Sequence, residues 1–100
     1  MSHLSTAELN DARRDWSAKR FLGLSKERGK KSWNVIWRRT GMPFGRIWIE
    51  SDTAGGEFWQ CQLNPGQACK DAYKSRQEAL LGLLFLNIEV AAEREKARSK

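Results

Sequence analysis

The fold of this 100-residue chain is decided by residues 32–63, SWNVIWRRTGMPFGRIWIESDTAGGEFWQCQL. Apolar and polar side chains alternate here in three runs that are rich in β-branched and aromatic residues. Turn-forming residues separate the runs: first Gly41, Pro43 and Gly45, then the cluster 51–56. The pattern predicts three short antiparallel strands, over 33–38, 46–50 and 57–63, joined as a meander.

Helix start signals lie on both sides of this stretch. Ser5 and Glu8 have the S-x-x-E spacing of a capping box, which predicts a helix from Thr6 to a residue in 20–23. Ser75 and Glu78 repeat the spacing before a strongly apolar segment.

The second capping box predicts a helix from Arg76 into the region 93–98. Residues 21–32 are predicted to form a basic surface loop, because Ser25–Ser32 is polar, basic and contains glycine. The expected fold is therefore α+β, in the order α-β-β-β-α: a three-stranded antiparallel β-meander packed on a long C-terminal helix, with an N-terminal helix. Its length suits a single domain over 1–100, with 1–4 and 97–100 frayed.

Over residues 32–86 the element order resembles that of double-stranded RNA-binding domains. The three strands and helix also resemble the arm-binding domains of phage-type integrases and the plant AP2 domain. These resemblances imply a nucleic-acid partner. The Lys-Lys-x-Ala-Lys helix start of the RNA-binding domains is absent, because this helix opens Ser75, Arg76, Gln77, Glu78, so we assign no family.

The alternation gives the predicted sheet two chemically different faces. One face is apolar and is predicted to form the core with the long helix: Trp33, Val35, Trp37, Ile47, Ile49, Trp59, Cys61 and Leu63. The other is polar with interleaved aromatic rings: Asn34, Ile36, Arg38, Arg46, Trp48, Glu50, Phe58, Gln60 and Gln62. The second face is the candidate binding surface.

Charge points to a polyanionic partner. Lys and Arg number 18 against 12 Asp and Glu, a net charge of +6, and eight basic residues but one acid, Glu27, fall within Lys19–Arg39. We predict a small, non-enzymatic nucleic-acid-binding module, for DNA or RNA. Its candidate binding residues are Lys26, Arg28, Lys30, Lys31, Arg38, Arg46, Trp48, Phe58 and Gln60.

Each part of this candidate site also has an interpretation that involves no binding function. A half-exposed sheet is commonly polar with cross-strand aromatic pairs, and the run 26–31 also suits a solvated loop that keeps a tryptophan-rich chain soluble. Lys70, Lys74 and Arg76 precede the long helix, where a phosphate can dock. Glu78, as cap partner, competes for that position.

The sequence gives little support for an enzymatic function. The single histidine, His3, lies near the N-terminus, so neither a Ser-His or Cys-His pair nor a metal-ligand cluster is expected. Cys61 falls on the apolar face, and Cys69 lies in a loop beside Lys70, where it can be reactive. We predict no catalytic residues, no metal and no cofactor.

The second hypothesis is a protein-interaction module, for example a small phage or mobile-element inhibitor or adaptor that binds a host protein complex. Trp and Arg, both frequent in this chain, dominate interface hot spots. A homodimer through the C-terminal helix is compatible with either hypothesis, and its flank carries Leu81, Phe85, Ile88 and Ala92. Because the N-terminus lacks an apolar signal segment and the apolar run 79–92 is too short to span a membrane, a cytoplasmic protein is expected.

Overall fold

The computed structural model describes residues 5–63 and 72–98 and confirms the α+β class. Its sheet is antiparallel, and a long C-terminal helix packs on it. The elements in chain order are α1 (Thr6–Arg14), α2 (Ala18–Phe21), β1 (Leu22–Lys26), β2 (Ser32–Trp37), β3 (Met42–Ser51), β4 (Glu57–Gln62) and α3 (Arg76–Arg98).

The sheet has four strands in the order β1-β2-β3-β4, so the prediction of three strands is wrong. The additional strand, β1, lies in the segment that was expected to be a helix end and a basic loop. Leu22 and Leu24 alternate there with Gly23 and Ser25, and pairing with β2 buries Leu22 to 3% exposure. The predicted loop 21–32 is thereby reduced to the tip 27–31 of a β-hairpin.

The second hairpin turns earlier than predicted. Pro43 and Gly45 were expected to end a strand, but both lie inside β3, and the turn is formed by 38–41. Val35 pairs with Gly45 and Ile36 with Pro43, so Phe44 is the extra residue of a β-bulge, which accommodates the proline. Gly45 has φ 151°, and a Cβ there would overlap the Gln62 carbonyl oxygen and Leu83.

The N-terminal helix begins where the sequence predicts and ends sooner. The Glu8 amide donates to Ser5 Oγ at 3.2 Å, and α1 starts at Thr6. It ends at Arg14 instead of within 20–23, because Trp16 leaves the helical path and stacks on Phe21 of the short helix α2, with ring centroids 5.9 Å apart.

The C-terminal helix α3 also starts as predicted. The Glu78 amide donates to Ser75 Oγ at 3.2 Å, while Glu78 Oε2 accepts from the Lys74 amide at 2.9 Å. Asn87 Nδ2 donates to the Phe44 carbonyl at 3.1 Å and so ties the helix to the bulge. The helix is continuous through Arg98, so residues 97–98, predicted to fray, are helical; 1–4 and 99–100 lie outside the described residues.

The helices pack on one face of the sheet, which we call the inner face. It is the predicted apolar face: Val35, Trp37, Ile47 and Cys61 are buried, and Trp33, Ile49, Trp59 and Leu63 are half-buried. Leu80, Leu83 and Leu84 of α3 complete the core. None of the described helices combines the length and apolar character that crossing a membrane requires.

Candidate nucleic-acid interface

The opposite side of the sheet, which we call the outer face, faces away from α1, α2 and α3. Strand register defines its side chains, which form cross-strand rows. One row contains Ser25, Asn34, Arg46 and Gln62; the next contains Ser32, Trp48 and Gln60; Glu50 and Phe58 are opposite each other in a third. No described helix packs on this face.

Arg46 and Trp48 form the centre of the outer face. They are two residues apart on β3 and therefore point the same way. The Arg46 guanidinium carbon lies 5.0 Å from the centroid of the Trp48 ring, within cation–π range. Trp48 is half-buried, and its indole Nε1 donates to Glu50 Oε1 at 2.7 Å, which fixes the ring orientation.

Phe58 lies diagonally across the β3–β4 ladder from Trp48. Trp48 is paired with Gln60, and Glu50 with Phe58, so the two aromatic residues are diagonal neighbours, about 7–8 Å apart by standard sheet geometry. Gln60 and Gln62, both half-buried, place amide groups beside them on β4. Aromatic rings and amide groups thus share one surface, as the sequence predicted.

Glu27, in the tip of the β1–β2 hairpin, makes an ion pair with the central arginine. Arg46 Nη2 donates to Glu27 Oε1 at 3.1 Å, and the two side chains are 39% and 24% exposed. The neighbouring Ser32 hydroxyl, and then the Arg46 guanidinium, hold the pKa of Glu27 below its ordinary value. The carboxylate is therefore charged at neutral pH and competes with any other anion for Arg46.

The hairpin tip presents most of the predicted basic loop. The Glu27 amide donates to the Ser32 carbonyl at 2.9 Å, and Gly29, with φ 74°, makes the tight turn between them. Lys31 Nζ lies 3.5 Å from Glu57 Oε2. Arg28 and Lys30 at the tip are exposed and form no ion pair with a described residue, and the same holds for Lys26, the last residue of β1. Because Lys26 is paired with Trp33, it lies on the inner-face side of β1 and not on the outer face.

Arg38 does not lie on the outer face, so its predicted position beside Arg46 is wrong. β2 ends at Trp37, and the following turn directs Arg38 toward the edge of the sheet, where Nη2 donates to the Leu22 carbonyl at 3.4 Å. The six residues of β2 separate Arg38 from the hairpin tip by about 20 Å. Residues 19–39 therefore supply basic groups at both ends of the sheet.

The sequence did not predict a groove that this arrangement creates on the helix side of β1. It has a volume of about 730 Å³ and lies between β1, the connection from α1 to α2, and the start of α3. We call it the β1 groove. Its only sequence signal is the alternation of Leu22 and Leu24, which is weak because the flanking residues are small or basic.

The other residues that the sequence singled out are not shown to form a binding or catalytic site. Lys70 and Cys69 fall outside the described residues, as does His3. The expected competition at the start of α3 is observed, since Glu78 already accepts from the Lys74 amide. Over 5–63 and 72–98, no group of three His, Cys, Asp or Glu side chains is placed to hold a metal ion.

Comparison with known proteins does not extend these observations. No protein-family model, curated protein sequence or solved structure matches the chain. The fourth strand also departs from the α-β-β-β-α order on which the resemblance to RNA-binding domains depended. The functional argument therefore rests on the chemistry of the outer face and the hairpin tip.

Proposed function

We propose that this protein binds single-stranded nucleic acid on the outer face of its sheet, without catalysing a reaction. The observation that carries the proposal is Arg46 stacked on the half-buried Trp48, at 5.0 Å, on a face that no described helix covers. An aromatic ring on an open sheet offers bases a stacking surface, and a nearby guanidinium attracts their phosphates.

The width of the sheet favours single strands over duplex. Four strands spaced about 4.8 Å apart make a face roughly 15–19 Å wide, whereas the major groove is about 12 Å wide and admits a helix or a two-stranded ribbon. A single strand has no such constraint, because its unpaired bases can lie flat on the sheet.

The parts of the surface have separate roles in this proposal. Trp48 and Phe58 stack on successive bases, and the amide of Gln60 hydrogen-bonds to base edges. Arg28 and Lys30 at the hairpin tip contact phosphates, which adds affinity without sequence preference.

Fluorescence anisotropy tests the proposal with fluorescein-labelled oligodeoxythymidine and mixed-sequence RNA of about 12 nucleotides. We expect complexes at ~50 mM salt that weaken steeply at ~200 mM. Trp48→Ala should weaken binding about 5- to 150-fold, the equivalent of about 1–3 kcal/mol for one stacked base.

Phe85→Ala is the matched control, because Phe85 is an exposed aromatic residue, 41% accessible, on α3 and thus on the other side of the sheet. It should bind as the unmodified protein does. Absence of any complex at low salt, or equal losses in the two variants, would exclude the outer face as the binding surface.

Protein interaction remains the alternative function. The observation that favours it is the β1 groove, which lies on the opposite side of the sheet from Trp48. The two surfaces do not overlap, so binding at one can be tested independently of the other.

A further inference from the structure

The edge of the sheet formed by β1 has backbone groups that are not paired with any residue in 5–63 or 72–98. In an antiparallel ladder, residues alternate between hydrogen-bonded and non-hydrogen-bonded pairs. The Glu27 amide donates to the Ser32 carbonyl and the Arg38 amide donates to the Phe21 carbonyl, which fixes this alternation. The backbone N–H and C=O groups of Leu24 and Lys26 therefore point away from β2, toward the free edge.

The opposite edge of the sheet differs, because another segment occupies it. Tyr73 forms an antiparallel bridge to Trp59 of β4: the Trp59 amide donates to the Tyr73 carbonyl at 2.7 Å, and the Tyr73 amide donates back at 2.9 Å. No described residue forms such a backbone bridge to the outer edge of β1. An exposed edge of this kind is a template for adding a strand.

The β1 groove lies directly beside this edge and has an apolar floor. Leu22 and Leu24 project into it from β1, and Leu80 and Leu81 line it from α3. Leu24 is 39% exposed, unusually accessible for a leucine on the inner face. A strand paired with β1 would direct alternate side chains onto this floor, because alternate residues of a strand share a face.

Positive charge predominates at the groove. Lys19, Arg38 and Arg76 line it, and none of them forms an ion pair with a described residue. The one acidic lining residue, Glu78, uses its carboxylate to accept from the Lys74 amide. The groove therefore complements an anionic partner.

We propose that β1 and its groove bind an extended, acidic segment of a partner protein by strand addition. Backbone hydrogen bonds to Leu24 and Lys26 would hold the segment in register, as in other strand-addition complexes. Apolar side chains at alternate positions would contact Leu22, Leu24 and Leu80, while acidic side chains would face the cations of the groove.

The same features disfavour two other occupants. A second copy of the chain would bring Lys26 and the groove cations of both molecules together, at a net charge of +6 each. A nucleic acid has no backbone N–H and C=O groups in strand spacing, so it would leave the groups of Leu24 and Lys26 unpaired. A peptide satisfies both the hydrogen bonds and the charge.

The experiment uses the full chain and a fluorescein-labelled eight-residue peptide in which valine or leucine alternates with aspartate. A second peptide has lysine in place of aspartate. A third is the acidic peptide N-methylated at alternate residues, which removes the amide hydrogens along one edge. We expect the acidic peptide to bind and N-methylation to weaken it at least about tenfold, because several backbone hydrogen bonds are removed.

Charge-reversal variants test whether the groove cations contact the acidic peptide. Arg76→Glu should weaken the acidic peptide about three- to tenfold. Since an acidic side chain in the first turn of a helix is favourable, this variant should fold as well as the parent chain. Arg94→Glu makes the same charge change near the other end of α3, does not line the groove, and should leave peptide binding unaltered. Trp48→Ala, on the outer face, should weaken oligonucleotide binding and leave peptide binding unaltered, which separates this proposal from the proposed function.

Hydrogen exchange identifies the edge itself. On peptide binding, the amides of Leu24 and Lys26 should gain protection, whereas those of Gly23 and Ser25 already face β2. The proposal is wrong if no peptide binds at ~1 mM, if the lysine or N-methylated peptide binds equally well, or if the two amides are already protected in a dimer of the chain. Protection of these amides by an oligonucleotide would overturn it as well.

Discussion

Glu27 controls the availability of the central arginine. Its carboxylate accepts from Arg46 at 3.1 Å and remains charged at neutral pH, because the Ser32 hydroxyl and the guanidinium lower its pKa. A phosphate that approaches Arg46 must compete with this internal anion. The hairpin tip therefore contains both the cations that we propose contact phosphates and a carboxylate that would oppose that contact at Arg46.

Replacing Glu27 by glutamine should raise affinity for single strands about two- to fivefold at low salt, because a repulsive charge is removed and Arg46 is released. Anisotropy titration measures the change. Glu93→Gln, which removes an exposed charge from α3, is the control and should have a smaller effect. Weaker binding by Glu27→Gln would show that Glu27 positions Arg46 productively and does not compete.

The Glu27–Arg46 ion pair should also be detectable in the pH dependence of the stability of the fold. Because the pKa of Glu27 in the folded chain is below the ordinary value of 4.5, its contribution to stability is complete above pH 4.5 and is lost as pH falls through the lower, folded pKa. Lowering the pH from about 5 to 3 should therefore destabilise the parent chain more than it destabilises Glu27→Gln, as measured by thermal unfolding. Parallel curves would show that the pKa is not lowered on folding.

Single residues were predictable where strand periodicity applies. Trp48 and Phe58 were assigned to the outer face by alternation alone, and their register confirms it. Arg38 was misplaced because alternation continues in the sequence one residue beyond the end of β2, and only the turn shows that its side chain points to the edge.

At the scale of elements, the tip of the β1–β2 hairpin carries two exposed cations, Arg28 and Lys30, that form no ion pair within the described part of the chain. Arg28→Ala with Lys30→Ala should weaken binding to all oligonucleotide sequences alike, since phosphates carry no sequence information. The slope of log K against log salt should become shallower by about 1.4, because each single-strand phosphate that a cation no longer neutralises reduces it by ~0.7.

Arg14→Ala with Arg94→Ala, on α1 and α3, lowers the net charge equally and is the control for this double variant. Its salt slope should change much less. Equal slopes in the two double variants would mean that net charge, and not the hairpin, determines binding.

The capping boxes made both long helices predictable at their starts, because Ser5 and Ser75 supply side-chain acceptors to the first turn. β1 was not predictable in the same way. Its apolar content is two leucines, and the strand is stabilised by pairing with β2 and by burial of Leu22. The bulge at Phe44 was missed because proline and glycine ordinarily indicate a turn.

At the scale of the whole molecule, the sequence indicated an excess of positive charge, but it did not indicate that the basic residues are distributed over two separate surfaces. Folding places the basic groups of 19–39 at both ends of β2, so one continuous segment contributes cations to the β1 groove at one end and to the hairpin tip at the other. That division depends on the fourth strand, and the three-stranded prediction could not contain it.

The predicted homodimer flank on α3 is partly covered. Leu81 and Ile88 are half-buried against the core, and the Arg13 guanidinium lies 5.3 Å from the Phe85 ring. A stable interface buries about 800 Å² on each partner, and this flank is already partly covered by its own chain. We therefore expect light scattering at ~100 μM to give the mass of one chain, 11.5 kDa. A concentration-dependent dimer that Phe85→Glu abolishes would contradict this expectation.

The bridge between Tyr73 and Trp59 has a consequence for self-association. Amyloid-like fibrils grow when each sheet offers two open edges, so that every added chain presents a fresh one. Here Tyr73 occupies the middle of the β4 edge, and edge-to-edge growth through β1 would therefore stop at a closed pair. The chain can keep one strand available for recognition without polymerising through its sheet.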